Sequence, residues 1–353
     1  MSLTRLQITG LRCLASAELS AHPDLNVVIG HNGAGKTSLL EAIYLLGRGR
    51  SFRAPQLGGL VAAGQQEATI FAETHEPDGK LGLRIGAGAT EIRIDGRGGA
   101  SVAELAERLP VQLIDPAVHS LVQGGPGERR RYLDWGVFHV KHEFLGGWRK
   151  FRRALQQRNA ALKQGADSAT VAAWEPDLLD GAAIVDRCRR SYVRDIEPIL
   201  QLYVAKFVDI AAKLRYRPGW SDTASLAEAL AAGSDRDRAL GATQAGPHRA
   251  ELEIVVDGQL ARHRLSRGQQ KLLGAAMVLA QAECVQSATG KRPILLVDEP
   301  AAELDPRHLA ALVDGIVESG SQVFITALTD AALPVSDTHA RFHVERGEVT
   351  ALV

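Results

Sequence analysis

The stretch GHNGAGKTS at Gly30–Ser38 decides the fold class. It fits the pattern G-x-x-x-x-G-K-[ST], and it stands between an apolar segment, LNVVI, and an amphipathic one, KTSLLEAIYLLG. The pattern predicts a strand, a glycine-rich loop and a helix whose free N–H groups point at a phosphate. Lys36 is placed to reach the β and γ phosphates, and Thr37 to ligate Mg²⁺. The residues predicted to surround the nucleotide are Gly30, Asn32, Gly33, Ala34, Gly35, Lys36, Thr37 and Ser38.

A second signal lies near the other end of the chain, in PILLVDEP at Pro293–Pro300. Its continuous apolar run predicts a strand that is buried on both faces of a parallel sheet. Carboxylates that follow such a strand lie at the edge where open α/β sheets bind ligands. We therefore expect Asp298 to hold Mg²⁺, directly or through water, and Glu299 to orient or activate the attacking water. Glu299 and Lys36 are the predicted catalytic residues.

The polar stretch LSRGQQK at 265–271 begins a predicted helix. Ser266 and Gln269 fit a capping box, in which each side chain bonds to the other's backbone N–H. A capped helix does not need Gly268 in its first turn, where glycine costs up to about 1 kcal/mol relative to alanine. Gly268 therefore indicates that another group approaches the backbone closely, and the helix start is a second candidate anion site.

The composition is that of an ordinary globular protein. Of 353 residues, 45% are hydrophobic, and 41 basic residues balance 41 acidic ones, so only a local basic patch would suit nucleic acid. The three cysteines are far apart, which favours buried thiols in a reducing compartment over disulfides or a zinc site. No run approaches the roughly 18 apolar residues of a membrane span, and the N-terminus lacks the apolar core of a signal peptide. We expect a cytoplasmic protein with no membrane partner.

The order of patterns along the chain predicts three zones. Residues 1–115 alternate strands and glycine-rich turns around one helix, residues 116–238 are helical and charged, and residues 239–353 return to alternating strands and helices. This order predicts an α/β fold in which the N- and C-terminal segments build one body and the middle forms an inserted helical lobe.

Several motifs resemble those of a known family. Ser266–Gln270 resembles the signature motif of the ATP-binding-cassette (ABC) ATPases, and AAELD at 301–305 resembles their D-loop. The long helical interval between P-loop and signature is similar to that of the chromosome-maintenance and DNA-repair branch. Within this branch, the chain resembles the RecF family of bacterial recombination mediators over nearly its whole length. The stretches that carry the resemblance are ITGLRCL, LNVVIGHNGAGKTSLLEAIYLLGRGRSFR, GERRRYLDWGVFHV, RRALQQRNAAL, TQAGPHRAEL, LSRGQQK, LLVDEPAAELD and QVFITAL.

The resemblance implies an ABC-type ATPase head and two ATP molecules sandwiched in a head-to-tail homodimer. The signature of one subunit then contacts the γ phosphate held by the partner's P-loop. This arrangement implies nucleotide contacts for Ser266, Gly268 and Gln269, and for Asp305 in the D-loop.

The resemblance also implies roles for three single residues. It places Arg12 near the nucleotide, and it makes Gln112 a candidate for the Q-loop glutamine. Thr326 stands where many transporter ATPases have a histidine that contacts the γ phosphate. A threonine donates one hydrogen bond but carries no charge, a departure that fits weak, regulated hydrolysis.

Basic residues concentrate where DNA binding is expected. Residues 128–160 carry nine Lys and Arg against three Asp and Glu, and Arg149, Arg152 and Arg153 share one face of a predicted helix. The loop GRGRSFR at 47–53 adds Arg48, Arg50 and Arg53. Such clusters suit a phosphate backbone and predict DNA binding without sequence specificity. The alternative is a solvated helix face.

The expected function follows from the motifs and the resemblance together. ATP and Mg²⁺ drive homodimerisation, the dimer clamps duplex DNA near single-strand gaps, and slow, DNA-stimulated ATP hydrolysis releases it. The resemblance implies RecO and RecR as partners in loading recombinase during gap repair and replication restart.

Two alternatives stay open. One is the ATPase subunit of a membrane transporter, although its signature usually has a second glycine where this chain has Arg267. Stimulation of the ATPase by DNA would distinguish the expected DNA-binding protein from a transporter subunit. The other is a non-hydrolysing scaffold gated by ATP, against which Glu299 argues, because a scaffold needs no general base.

Overall fold

A computed structural model of the chain describes residues 2–86, 88–208, 210–302, 304–334 and 340–352. The strands of these residues, numbered in chain order, are β1 Ser2–Leu11, β2 Leu14–Ser20, β3 Leu25–Ile29, β4 Glu67–His75, β5 Gly79–Gly86, β6 Thr90–Ile94, β7 Arg97–Gly98, β8 Val111–Ile114, β9 Ala212–Arg217, β10 Glu251–Val256, β11 Gln259–Leu260, β12 Ile294–Val297, β13 Gln322–Ala327, β14 Ala340–Glu345 and β15 Glu348–Leu352.

The α-helices of the same residues alternate with these strands at both ends of the chain and follow one another in its middle. They are α1 Lys36–Arg48, α2 Val102–Arg108, α3 Ser120–Gln123, α4 Pro126–Val140, α5 Phe144–Lys163, α6 Ser168–Ala172, α7 Glu175–Phe207, α8 Leu226–Ala232, α9 Ser234–Leu240, α10 Ala261–Arg264, α11 Arg267–Thr289 and α12 Pro306–Glu318. None of these helices combines the length and hydropathy that crossing a lipid bilayer requires.

The chain divides into two units. Unit 1 comprises Met1–Val118, Lys206–Val208 and Lys271–Val353, and unit 2 comprises His119–Ala205 and Asp209–Gln270. The first boundary lies close to the predicted one at 115. The return to unit 1 lies at Lys271 rather than at residue 239, because β10 pairs with β9 and β11 in a separate antiparallel sheet. Unit 2 is therefore a helical lobe with a small sheet of its own.

The main sheet of unit 1 has the strand order β15-β14-β3-β13-β12-β8. It is parallel apart from the β14–β15 hairpin, and β3 from the N-terminal segment pairs with β13 and β14 from the C-terminal one. All residues of β12 and β13 are buried, as the apolar run before Asp298 predicts for a strand covered on both faces. The predicted assembly of one α/β body from both ends of the chain is confirmed.

A second sheet of unit 1 is antiparallel, in the order β2-β1-β4-β5-β6-β7. Helix α1 shares one hydrophobic core with both sheets, which includes Leu40 of α1, Leu6 of β1 and Phe324 of β13. Gly47 lets α1 approach the main sheet closely, since a Cβ at this position would lie 2.2 Å from Cγ2 of Val111. The helix that follows the P-loop is thus fixed against the sheet.

Unit 2 contains a buried ion pair between two of its helices. The guanidinium of Arg158 on α5 donates to Oδ2 of Asp237 on α9 at 2.7 Å, and both side chains are 2% exposed. Arg158 also donates to the hydroxyl of Thr243 at 2.8 Å. Lys150, eight residues earlier on α5, pairs with Asp180 at 2.7 Å with both side chains well exposed. The two pairs allow the contribution of a buried ion pair to stability to be compared with that of an exposed one.

Asp237→Ala should lower the free energy of unfolding by about 3 kcal/mol, at the low end of the range for a broken buried ion pair, because it leaves the buried Arg158 guanidinium with its more distant carboxylate partner, Glu175 at 3.3 Å. The control Asp180→Ala should cost less than about 1 kcal/mol, since its pair is solvated. Urea titration followed by circular dichroism measures both values. Equal losses for the two variants would show that the Arg158–Asp237 pair does not hold unit 2 together.

Candidate nucleotide site

The P-loop connects β3 to α1 in the main sheet. Gly30 has a φ of 156°, and a Cβ there would lie 2.3 Å from the carbonyl oxygen of Val344, so only glycine fits. Lys36 is the first residue of α1, and its Nζ donates to the carbonyl oxygens of Gly30 at 2.8 Å and His31 at 3.2 Å. The loop therefore curls around the lysine ammonium, which faces the anion site that the backbone N–H groups form.

The acidic pair meets the P-loop, as the strand order requires. Asp298 follows β12, and the parallel strands β12, β13 and β3 bring their carboxyl ends to one edge. The hydroxyl of Thr37 donates to Oδ2 of Asp298 at 3.0 Å, and Nζ of Lys36 lies 3.1 Å from Oε1 of Glu299. The structure thus brings together all four residues to which the sequence assigns the chemistry.

Thr326 on β13 organises the acidic pair, a role that its sequence position did not indicate. Its hydroxyl donates to Oδ1 of Asp298 at 2.7 Å and accepts from the backbone N–H of Glu299 at 2.9 Å. The side chain is fully buried. Glu299 has a φ of 46°, a conformation in which only a few per cent of non-glycine residues are found. A threonine that holds both acids in this geometry explains why a short polar residue stands here.

Asp298 is held in an environment that resists ionisation. Burial raises the pKa of its carboxyl, and the neighbouring Glu299 charge acts in the same direction. The hydrogen bonds from Thr326 and Thr37 lower that pKa without offsetting the effect of burial. A cation beside this carboxylate would relieve the imbalance.

The donor set fits Mg²⁺ that is shared with phosphate. The hydroxyl of Thr37 and the carboxylate of Asp298 are hard oxygen ligands, and they already lie within hydrogen-bond distance of each other. Among the described residues, no group of three or more His, Cys, Asp or Glu is arranged to hold a metal. The residues therefore suit an ion that takes most of its ligands from phosphate and water, as Mg²⁺ does.

A pocket of about 430 Å³ opens over the P-loop. Its volume lies within the range of small-molecule sites. Arg12 reaches it from the turn between β1 and β2 with a φ of 57°, as the resemblance implies. The sequence did not single out Cys13 and His31, and it assigned Arg53 to DNA. The lining residues, all of unit 1, are Arg12, Cys13, His31, Asn32, Gly33, Gly35, Lys36, Thr37, Ser38, Arg53 and Glu299.

Gln112 and Arg48 are placed away from this pocket. Gln112 lies within β8, where its amide accepts from Nη2 of Arg48 at 3.0 Å and donates to Oε1 of Gln281. Arg48 also donates to the backbone of Val111 and lies over the ring of Tyr44, and burial lowers its pKa to about 10. Neither the Q-loop role of Gln112 nor the DNA role of Arg48 agrees with this geometry.

The signature motif begins α11 in unit 2. The predicted capping box is present, with the N–H of Gln269 donating to Oγ of Ser266 at 3.3 Å and the N–H of Ser266 donating to Oε1 of Gln269 at 3.0 Å. A Cβ at Gly268 would have no described atom within 4 Å beyond its own helix, and φ of Gly268 is not positive. Neither packing nor backbone conformation within the described chain therefore requires glycine here.

Asp305 caps α12 in this structure. Its Oδ1 accepts from the backbone N–H of Arg307 at 3.0 Å and of His308 at 3.2 Å, and Oδ2 pairs with Nδ1 of His308. These bonds lower the pKa of Asp305, with the side-chain bond to His308 as the largest cause. Glu303, in the same D-loop stretch, lies outside the described residues.

The nine basic residues at 128–160 differ in their partners, and one of them, Arg130, donates to the backbone carbonyl of Ala250 at 2.7 Å. Arg129, Arg131, Lys141, Lys150 and Arg158 all pair with carboxylates. Arg149, Arg152 and Arg153 are exposed on α5, and within the described part of the chain they have no ion pair or side-chain hydrogen bond. The three arginines selected from helical spacing are thus the ones that remain available to an external anion.

Sequence comparisons identify relatives over the full length. The profile of the RecF/RecN/SMC N terminal domain matches residues 2–351. The DNA replication and repair protein RecF of Stutzerimonas stutzeri (strain A1501) is 42% identical over 366 residues, covering 100% of this chain and 98% of the relative. The protein of the same description from Shewanella baltica (strain OS223) is 39% identical over 360 residues, covering 100% of both.

Solved structures show the same fold. The structure of the recombination mediator protein RecF-ATP in the RecFOR pathway superposes with a TM-score of 0.89 at 23% identity, covering 100% of this chain and 98% of that chain. An Smc head bound to the C-winged helix domain of ScpA superposes with a TM-score of 0.60 at 16% identity, covering 100% and 98%. The fold is that of an ABC-type ATPase head with an insertion. Because an identity of 42% extends over nearly the full length of both sequences, the chain belongs to the RecF family.

Proposed function

We propose that this chain is a cytoplasmic, ATP-dependent DNA-binding recombination mediator of DNA replication and repair. ATP and Mg²⁺ bind at the P-loop of unit 1, and two copies close head to tail on the bound nucleotides. The closed dimer holds duplex DNA near single-strand gaps, and slow hydrolysis, stimulated by DNA, releases it. RecO and RecR are the proposed partners in loading recombinase, in line with the pathway named for the structural relatives.

One observation carries the proposal: Lys36 and Thr37 contact Glu299 and Asp298 from the opposite end of the chain. The lysine and the backbone N–H groups supply positive charge for the phosphates. The Thr37 hydroxyl and Asp298 would hold Mg²⁺, which neutralises charge that develops on the phosphates. Glu299, a partly exposed residue of the pocket lining, would orient water for attack.

The geometry of the signature motif supports the proposed head-to-tail dimerisation. Ser266 and Gly268 stand at an exposed helix start whose backbone N–H groups suit an anion. Gly268 leaves open space that the described chain does not use, which suits close approach of a phosphate from another subunit. Asp305 would exchange its capping bonds for contacts across the same interface.

The alternatives fit less well. A transporter subunit is disfavoured because the full-length relatives are named as DNA replication and repair proteins. A non-hydrolysing scaffold is disfavoured because Glu299 is held in an uncommon conformation beside Lys36, and such conformations cluster at functional sites.

Glu299→Gln should trap an ATP-bound dimer, because the amide keeps its place at the pocket and cannot act as a base. Light scattering with Mg²⁺ and ATP should then give twice the monomer mass, persisting for hours, whereas the wild type returns to monomer as ATP is consumed. Hydrolysis by this variant at the wild-type rate would place the base elsewhere.

Adding Ser266→Arg to Glu299→Gln tests whether the signature acts on the partner's nucleotide. The bulky cation should abolish the trapped dimer and leave ATP binding by the monomer within about twofold. Arg267→Ala in the same background is the control, since it alters the adjacent exposed position. Loss of monomer ATP binding in the Ser266→Arg variant would mean that the motif acts within its own chain.

Neutralising Arg149, Arg152 and Arg153 to Gln should weaken DNA binding and lower the slope of log K against log salt by about 2.7, because each phosphate contact contributes about 0.9. The matched control neutralises Arg131, Lys150 and Arg187, which are already paired with carboxylates. Fluorescence anisotropy with gapped duplex DNA over a salt series measures both. An equal slope change in the two triple variants would support the alternative, that the α5 arginines form a solvated helix face and do not bind DNA.

Asp298→Asn should raise the midpoint of thermal unfolding near pH 8 in the absence of Mg²⁺ and nucleotide. The folded-state pKa of Asp298 is raised, so the stabilisation from its protonated form is complete below its ordinary pKa of 3.8 and lost as the pH rises through the folded value. The gain from the neutral amide should therefore shrink toward pH 4. Calorimetry near pH 8 and near pH 4 measures the change in unfolding midpoint, with Asp180→Asn as the exposed control. A lower midpoint near pH 8 would contradict the raised pKa.

A further inference from the structure

Glu41 is a fully buried carboxylate on the face of α1 that points toward the nucleotide pocket. It lies one helical turn after Thr37, at the i, i+4 spacing that places two side chains on the same face. Its side chain is 0% exposed. A bare carboxylate at this position would repel a triphosphate. We therefore expect it to be paired with cations or hydrogen-bond donors.

Arg12 is the first partner. Its Nε donates to Oε2 of Glu41 at 3.0 Å, and its Nη2 donates to Oε1 at 3.2 Å. This bidentate pair fixes the plane of the guanidinium and occupies two of the five N–H donors. Within the described residues Nη1 has no hydrogen-bond acceptor, and Arg12 lines the pocket with its side chain 26% exposed. Glu41 thus determines the direction in which Arg12 presents its other donors.

The loop after α1 is the second partner. The hydroxyl of Ser51 donates to Oε1 of Glu41 and accepts from the backbone N–H groups of Arg53 at 2.9 Å and Ala54 at 2.8 Å. Phe52 packs edge-to-face against Tyr44 of α1, with ring centroids 5.2 Å apart. These contacts hold the loop in a tight turn from which Arg53 reaches the pocket.

We infer that Glu41 is a positioning residue of the nucleotide pocket, orienting Arg12 directly and Arg53 through Ser51. One carboxylate thereby sets two guanidiniums that arrive from different segments of unit 1, the β1–β2 turn and the loop after α1. The ligand is the triphosphate of ATP, so the inference rests on the proposed nucleotide binding. Both arginines add positive charge to the lining of the pocket, beyond that of Lys36.

Titration of the full chain with a fluorescent ATP derivative in the presence of Mg²⁺ tests the inference. Glu41→Gln should weaken binding about tenfold, because the neutral amide no longer anchors the Arg12 guanidinium. Ser51→Ala should weaken binding about threefold through the Arg53 loop alone. The control Asp95→Asn breaks an exposed Arg108–Asp95 pair of unit 1 and should leave the affinity unchanged.

A second background separates positioning from a general effect on folding. In the variant Arg12→Ala/Arg53→Ala, the further change Glu41→Gln should cause no further loss of affinity, because neither guanidinium is left to position and removal of the bare carboxylate's charge acts in the opposite direction. A second tenfold loss in that background, or an unchanged affinity of Glu41→Gln alone, would overturn the inference. Should Glu41→Gln fail to fold, Ser51→Ala in the Arg53→Ala background gives the same comparison. A wild-type chain that binds no ATP would instead defeat the proposed function.

Discussion

The parallel register of β3, β13 and β12 is the constraint on which the site depends. It joins strands from opposite ends of the chain, and it places the P-loop and the acidic pair at one edge of the sheet. The hydrogen bonds of Asp298 with Thr37 and Thr326 fasten this edge from both sides. A shift of one residue in the pairing would turn every side chain to the opposite face and separate the acids from the lysine.

The same edge combines unfavourable features that a stable fold would avoid. A buried carboxylate lies beside a second acid, Glu299 has a positive φ, and the ammonium of Lys36 is held mainly by carbonyl oxygens and Glu299. The buried charge and the positive φ are unfavourable for folding, and a cation beside Asp298 would relieve the charge imbalance there. Cation binding at this edge is therefore coupled to relief of the charge imbalance at Asp298.

Local patterns in the sequence predicted the parts of the site that lie within continuous motifs. The P-loop, the buried strand before Asp298 and the capping box at Ser266 all depend on residues that are close together in the chain, and the structure contains each of them. Burial of Thr326 against the acids, and the Glu41–Ser51 bond behind the pocket, link residues whose side chains meet only after folding. No local periodicity marks such contacts. The sequence predicted the return to the first body at residue 239, whereas unit 1 resumes at Lys271, because β10 can be predicted as a strand without showing that its partner is β9.

The split of the main sheet has a consequence for synthesis on the ribosome. Asn26 of β3 bonds to Val323 of β13, 297 residues further along the chain. After β3 leaves the exit tunnel, both of its edges stay without β13 and β14, their native partners, until the last segment has been made. Contacts of such long sequence separation are slow to form. Nascent chains of this family should therefore depend on chaperones that shield β3, and truncation before β12 should leave an aggregation-prone product.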